Sequence, residues 1–336
     1  MKQHRNIPFF VPHAGCPNCC VFCSQVKITG ESAEKDINTE IDELRALLES
    51  ESDNLFSESQ IAFFGGSFTA IEKSRMERLL SVANEYIDKG VAESIRISTR
   101  PDCIDDEILA ILKKHRVTNI ELGVQSTDNS VLLASNRGHS ANDSFDAAKK
   151  IIENGFVFGG QMMIGLPDSS IESEMQTARD IVKMGAKEAR IYPTVVFEGT
   201  KLFDMTVCGG YNPLTLDDAV ERTAKCYKIF HDNGVSVLRV GLHASENLSS
   251  APYGANHPSI GELVKSYVYA DIVAERAKNC EGKNICVGIK KSDISMLIGH
   301  GRAAINRIKE KTGASMVEIT PMDLPRFEPF VQIRSV

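Results

Sequence analysis

The hydrophobic positions of the first 240 residues follow two alternating patterns. Short apolar runs at residues 7–11, 61–64, 94–98, 120–124, 157–164, 189–195 and 235–240 read as strands. Between them, apolar residues recur at the three-to-four spacing of a helix with one buried stripe. Ile37, Ile41, Leu44 and Leu48 form one stripe, and Met76, Leu79, Leu80, Ala83 and Ile87 the next. Ile104, Ile108 and Leu112 follow, then Phe145, Ala148, Ile151 and Ile152, then Ile171, Met175, Ala178 and Val182. A longer helix is expected over 216–231. Crossovers of this length predict a parallel sheet, and six to seven such units suit a barrel or part of one.

The pattern breaks at residues 243–261, rich in Ser, Asn, Pro and Gly, where an irregular loop is expected. A helix over 262–278 follows. Residues 280–336 have their own order: strand 285–289, a short helix near 292–297, helix 303–311, and strands near 316–320 and 329–333. Three regions are therefore expected: a barrel over 1–245, a connecting loop and helix over 246–279, and a small α/β module over 280–336.

Composition narrows the function classes. Apolar residues are 42% and charged residues 25% of the 336, ordinary values for a globular chain. The net charge of −7 does not suit a chain built to coat nucleic acid or an anionic membrane. The charge is uneven, however. Residues 280–336 carry nine Lys and Arg against six Asp and Glu, a net of +3; the preceding 279 carry 29 against 39, a net of −10. That asymmetry hints at a polyanion-facing tail. The uncharged run at 7–26 is broken by Pro8, Pro12 and Pro17, and its apolar part is far shorter than the ~20 residues a bilayer needs. No secretory signal is readable, so a cytoplasmic protein with no membrane partner is expected.

Nine cysteines are many for a reducing compartment. Cys103, Cys208, Cys226, Cys280 and Cys286 are scattered and are expected to act as small buried hydrophobes. The other four, Cys16, Cys19, Cys20 and Cys23, fall within eight residues directly after the first predicted strand. In a parallel barrel that is the carboxyl-end face, where ligands gather. Three chemistries compete for them. A structural zinc usually draws two separated cysteine pairs. A dithiol at Cys16 and Cys19 leaves Cys20 and Cys23 unused. Cys16, Cys20 and Cys23, spaced CxxxCxxC, suit three irons of a 4Fe–4S cube and leave the fourth open.

CxxxCxxC with an aromatic residue, Phe22, just before the last cysteine resembles the radical S-adenosylmethionine (SAM) superfamily. The context FFVPHAGCPNCCVFC is similar to the branch of the elongator catalytic subunit and of oxygen-independent coproporphyrinogen dehydrogenase. The resemblance implies a partial (β/α)6-type barrel holding a 4Fe–4S cluster and SAM, which is cleaved reductively to a 5′-deoxyadenosyl radical. It also implies an electron donor such as flavodoxin or ferredoxin. Cys16, Cys20 and Cys23 are then the metal ligands.

Other motifs fall at successive strand ends. Gly65 and Gly66 in Gly-Gly-Ser-Phe resemble the turn that binds the methionyl amine. Ser98 and Arg100 stand where relatives place ribose- or carboxylate-binding groups, with Ser98 replacing a glutamate. Gln125 resembles the polar residue facing the cofactor, and Arg137 is chosen as a carboxylate clamp. Gln161 replaces an aspartate, and Gly165 opens a Gly-Leu-Pro turn that packs around adenine in relatives. Catalytic candidates are Gln125, Tyr192 and His257, with His13, His243 and Glu262 also on the substrate side.

Two substrate classes follow: a tRNA or other RNA base, or a tetrapyrrole or other small molecule. The tail's order, with Ile298-Gly-His-Gly-Arg302 between its helices, resembles an RNA-binding KH module, though Arg302 occupies the place of the second glycine of GxxG. Arg302, Arg307, Lys309 and Lys311 are the expected phosphate-facing groups.

Overall fold

The computed structural model describes residues 5–11, 16, 20–23, 36–51, 59–243, 246–277 and 280–334. His13 and Cys19 lie outside the described residues.

Seven parallel strands form the main sheet, each adjacent to the next in chain order. They are β1 (Arg5–Val11), β2 (Ser59–Gly65), β3 (Ser94–Thr99), β4 (Val117–Gln125), β5 (Val157–Ile164), β6 (Glu188–Pro193) and β7 (Ser236–Val240). The sheet curls into a half-barrel, and among the described residues β1 and β7 do not pair. The crossover helices are α1 (Ile37–Ser50), α2 (Lys73–Asp88), α3 (Asp106–Lys114), α4 (Asn129–Ala134), α5 (Ala141–Glu153), α6 (Ile171–Lys183), α7 (Lys201–Val207) and α8 (Leu216–Asp232). The partial barrel expected from the alternation is thus observed, with seven strands.

Strand parity divides the sheet. Ile61, Phe63, Ile95, Ile97, Ile120, Leu122, Phe158, Met162 and Ile191 are buried in one core with helix residues such as Leu79, Leu80, Ala148 and Ile181. The opposite parity faces the concave lumen and carries Gln60, Arg96, Asn119, Glu121 and Arg190, which bond to one another.

Two stretches depart from expectation. The run at 189–195 ends as a sheet strand at Pro193, which has no N–H to donate. Val195–Val196 instead pairs antiparallel with Tyr253–Gly254. The region expected to be an irregular loop therefore holds that pairing and a short helix, Glu246–Ser249. The small helices α4 and α7 are too short for a periodic signal.

Helix α9 (Ile260–Arg276) packs on α8 and on the tail. The tail consists of β8 (Asn284–Ile289), a 3-10 turn, α10 (Ile294–Ile298), α11 (Ala303–Thr312), β9 (Met316–Pro321) and β10 (Phe330–Arg334). Its sheet order is β9-β8-β10, with β8 parallel to β9 and antiparallel to β10. The scattered cysteines divide: Cys226, Cys280 and Cys286 are buried, Cys103 is half-buried and Cys208 is exposed. Among the described residues no helix is long and apolar enough to cross a membrane.

Candidate active site

The cysteine loop follows β1 at the strand carboxyl ends. Its described part is held from both sides: Val21 N–H donates to Ser135 O at 3.1 Å, and Leu202 N–H to Val21 O at 2.8 Å. Val21 is buried with Val196, Leu202 and Tyr211, and Phe22 packs against that cluster. Cys23 N–H donates to Cys20 O, closing a tight turn. Cys16 Sγ lies 3.5 Å from Ser67 Oγ, which ties the loop to the end of β2. Cys20 and Cys23 are thus held in one tight turn and Cys16 lies beside Ser67; among the described residues no three metal-ligating side chains converge on a point.

Cys20 sits in a positive environment. Arg137 Nη1 donates to its sulfur at 3.3 Å, and Arg100 Nη1 is 4.0 Å away. Arg137 also donates from Nη2 to Gly123 O at 2.6 Å and from Nε to His139 Nε2 at 3.2 Å. The structure thus points Arg137, expected on a carboxylate, at Cys20 and the end of β4. Arg100, expected on the cofactor, is held by Asp102 through two bonds of 2.9 Å and by the carbonyl of Arg137. Burial, and then the charge of Arg137, push His139 down to about 4, so it is neutral and accepts from Arg137. Cys103 is pushed up to about 11 by burial and by Asp102.

The glycine turn is close-packed. Gly65 has φ +117°, and a Cβ there would stand 2.6 Å from Val11 O. Gly66 donates its N–H to the same carbonyl at 3.2 Å. The backbone demand therefore falls on Gly65.

Gln125 carries the strongest mark of a site. It is 5% exposed, has φ +64°, and its Oε1 has no partner among the described residues. A non-glycine residue in the left-handed region with an orphaned buried oxygen is costly unless a ligand uses it. Just before it, a Cβ on Gly123 would meet Gln125 Nε2 at 3.0 Å and Arg137 Nη2 at 3.2 Å. A glycine thus makes the cradle that both side chains occupy. These features fit a ligand with polar groups beside the cysteine loop.

Other expected residues separate. Ser98 and Gln161 are half-buried on the lumen parity, with Gln161 in register between Gly123 and Arg190. Gly165 has both backbone groups taken: its N–H donates to Glu174 Oε1 at 2.6 Å, and its carbonyl accepts from Tyr211 at 2.5 Å. Its turn, with Leu166, Pro167, Tyr211 and Arg222, lines a cavity of about 330 Å³. Tyr192 faces the lumen, and burial raises its phenol. His257 uses Nδ1 to accept from Ser259 N–H at 3.1 Å, at the entry to α9. That hydrogen bond fixes the ring in the turn that precedes α9.

The lumen's ionic network was not singled out from sequence. Arg96, fully buried, donates to Glu121 at 2.5 Å and to Glu188 at 2.7 Å. Arg190 donates to Glu121 at 2.6 Å and lies over the Phe64 ring. The signal is present in the strands: polar or charged residues at alternate positions, Ser94-Arg96-Ser98 in β3, Asn119-Glu121 in β4 and Glu188-Arg190 in β6, where a parallel sheet covered on both faces should be apolar throughout.

A half-barrel with a cysteine loop at its strand ends defines the class, and the sequence comparison agrees. The pattern of the Radical SAM superfamily matches residues 10–181, and that of the Radical_SAM C-terminal domain matches 186–270. The chain belongs to the radical SAM superfamily, enzymes that use a 4Fe–4S cluster and SAM. It is similar to the tRNA uridine(34) acetyltransferase of Methanocaldococcus infernus, 32% identical over 48% of this chain and 34% of that protein. It is also similar to the heme chaperone HemW of Lactococcus lactis, 24% identical over 78% of this chain and 69% of that one. Its fold resembles that of Elp3 from Methanocaldococcus infernus with an N-terminal deletion, with TM-score 0.63, 22% identity, and coverage of 81% of this chain and 64% of that one. The chain spans about a quarter to two thirds of the length of the curated relatives it matches.

Proposed function

We propose that this enzyme modifies an RNA base, with tRNA as the first substrate to test. The observation that supports this best is the tail. Between α10 and α11, Gly299, Gly301 and Arg302 all have positive φ, and His300 to Arg302 are exposed. Arg302 has φ +65° and ψ 22° at the position where a GxxG loop has glycine, so the loop keeps that shape without the residue. An exposed, backbone-open loop at a helix start suits a sugar–phosphate chain. The similarity to a tRNA-modifying relative points the same way.

The basic edge is smaller than expected. Arg307 and Lys311 both bond Asp271 on α9, at 2.7 and 2.9 Å, and Arg307 stacks on Tyr267. A committed ion pair offers little to a phosphate, which leaves Arg302, His300 and Lys309 as the contacting groups.

In the barrel, Cys16, Cys20 and Cys23 would hold the cluster. Arg137 and Arg100 would balance its charge, and Gln125 would face the cofactor. When bound, the cluster and SAM supply a carbon radical that takes a hydrogen atom from, or adds to, the substrate. Val21, Leu202 and Tyr211, with Phe22 against them, pack an apolar patch under the described part of the loop. A flavodoxin- or ferredoxin-type donor would supply the electron.

The test is to incubate reconstituted enzyme, reductant and SAM anaerobically with tRNA, and separately with porphyrinogens. Release of 5′-deoxyadenosine that rises with tRNA, together with a mass shift on the RNA, supports the reading. A rise with porphyrinogens alone overturns it.

A further inference from the structure

Arg239 on β7 stands in register beside Arg190 on β6. Arg190 points into the lumen, where it meets Glu121 and Phe64. Partners in register on adjacent strands share a face, so Arg239 points there too. Its partners are not charges. Nε donates to Gly241 O at 2.9 Å and Nη2 to Leu242 O at 3.0 Å, which fixes the guanidinium and leaves Nη1 without a partner among the described residues.

The lumen's charge does not close around it. Arg96, Arg190 and Arg239 face two glutamates. Glu121 is shared by Arg96 and Arg190, and Glu188 is taken by Arg96 and Asn119. Among the described residues no carboxylate reaches Arg239. Burial, with Arg190 beside it, works against its charge, and the neighbouring Tyr192 phenol is the group that favours it. His243 lies near both arginines, which press it toward the neutral form after burial does. A fixed, half-buried cation with no counter-ion is costly to keep. An incoming anion would remove that cost.

The geometry points to Arg239 as the anchor for an oxyanion of the substrate, a phosphate or a carboxylate, received in the lumen beside Tyr192 and His243. The inference rests on the proposed function, in which the substrate meets the radical in the barrel. It does not depend on whether the substrate is RNA. A carboxylate or phosphate would take the Nη1 edge of Arg239 by a charge-assisted bond, with the Tyr192 hydroxyl as a neutral donor.

The test needs neither SAM turnover nor RNA. The thermal midpoint of the reconstituted holoenzyme is followed in chloride buffer at fixed ionic strength against inorganic phosphate, uridine 5′-monophosphate and succinate. Wild type should rise by roughly 2–4 °C once an anion is well above its Kd. Arg239→Met should show no rise, with an anion-free midpoint at or above that of wild type. Arg239→Lys should keep a weaker response. If Arg239→Met is instead markedly unstable, Arg239→Gln, which still donates to the turn, decides by the same absence of response. The nucleotide giving the largest rise assigns a nucleotide phosphate. Succinate giving the largest rise keeps the anchor and counts against the RNA reading. An equal rise in wild type and the neutral variants, or no rise with any anion in wild type, overturns the inference.

Discussion

At the scale of single residues, the site shows itself by what it costs. Gln125 combines a left-handed backbone with an unpaired buried oxygen. Gln125→Gly removes both burdens. It should raise stability by about 1 kcal/mol in urea unfolding and weaken SAM binding by at least tenfold in titration calorimetry. A variant that is less stable and binds SAM as well as wild type would make Gln125 a packing residue. Gly65 is the mirror case. Gly65→Ala places a Cβ against Val11 O and strains φ +117°, so a loss of about 2 kcal/mol or more is expected, with Gly66→Ala costing clearly less. His139 gives a pH signature. Its folded form titrates near 4, below the ordinary 6.5, because burial and Arg137 disfavour the charge. Stability from the neutral ring is complete above pH 6.5 and is lost as pH falls toward 4. At pH 5 the loss is about 2 kcal/mol. His139→Gln, which can still accept from Arg137, should flatten the urea midpoint between pH 7 and 5; an unchanged slope would place the titration elsewhere.

At the scale of elements, the apolar runs located the seven barrel strands because a strand buried against helices must be apolar on that parity, whatever the other parity does. Ile61 and Phe63, Ile95 and Ile97, and Ile120 and Leu122 carried that signal. The position of the cysteine loop after the first strand was legible from spacing, whereas the left-handed backbone of Gln125 was not, because it appears only in the folded chain. The intramolecular partners of Arg100, Arg137 and His257 were not legible, because which acceptor a guanidinium or imidazole finds depends on loops brought together from distant segments. Asp271 capturing Arg307 and Lys311 is the same effect: the partner lies one helix away in space and 36 to 40 residues away in sequence. The lumen network is the element-scale feature with the largest energetic stake. Glu121 is 3% exposed and bonds Arg96 and Arg190. Glu121→Gln leaves two buried cations short of charge, and a loss of about 3–5 kcal/mol is expected from denaturant unfolding, with the β3–β4–β6 amides losing hydrogen-exchange protection first. A loss below about 1 kcal/mol would mean that water already screens the lumen.

At the scale of the whole molecule, an aromatic joint adds to the packing of α9 in tying the tail to the barrel side. Phe327 has φ +62°, is 3% exposed, and stacks on Tyr269 of α9 with centroids 4.4 Å apart. It also meets Tyr227 and His231 of α8 at 5.5 and 5.4 Å. Its N–H donates to Tyr269 Oη, and that hydroxyl donates to the buried Asp293 at 2.5 Å, which Arg326 pairs from the outside. Helices α8 and α9 face the barrel with one side and receive Phe327 with another, so the ring couples tail and barrel into one cooperative unit. Phe327→Ala empties a well-packed slot and leaves the positive φ as strained as before. The cavity term dominates, at about 3–5 kcal/mol for a buried phenylalanine. The loss should appear as uncoupling: calorimetric unfolding, expected as a single transition in wild type, should split, with the tail melting first and the barrel near its original temperature. Phe327→Leu should restore much of the coupling, since it refills most of the slot without needing the stack. A single transition displaced as a whole in Phe327→Ala would show that other contacts between α9 and α11 hold the two parts together, and the aromatic joint would then be packing rather than the coupling element.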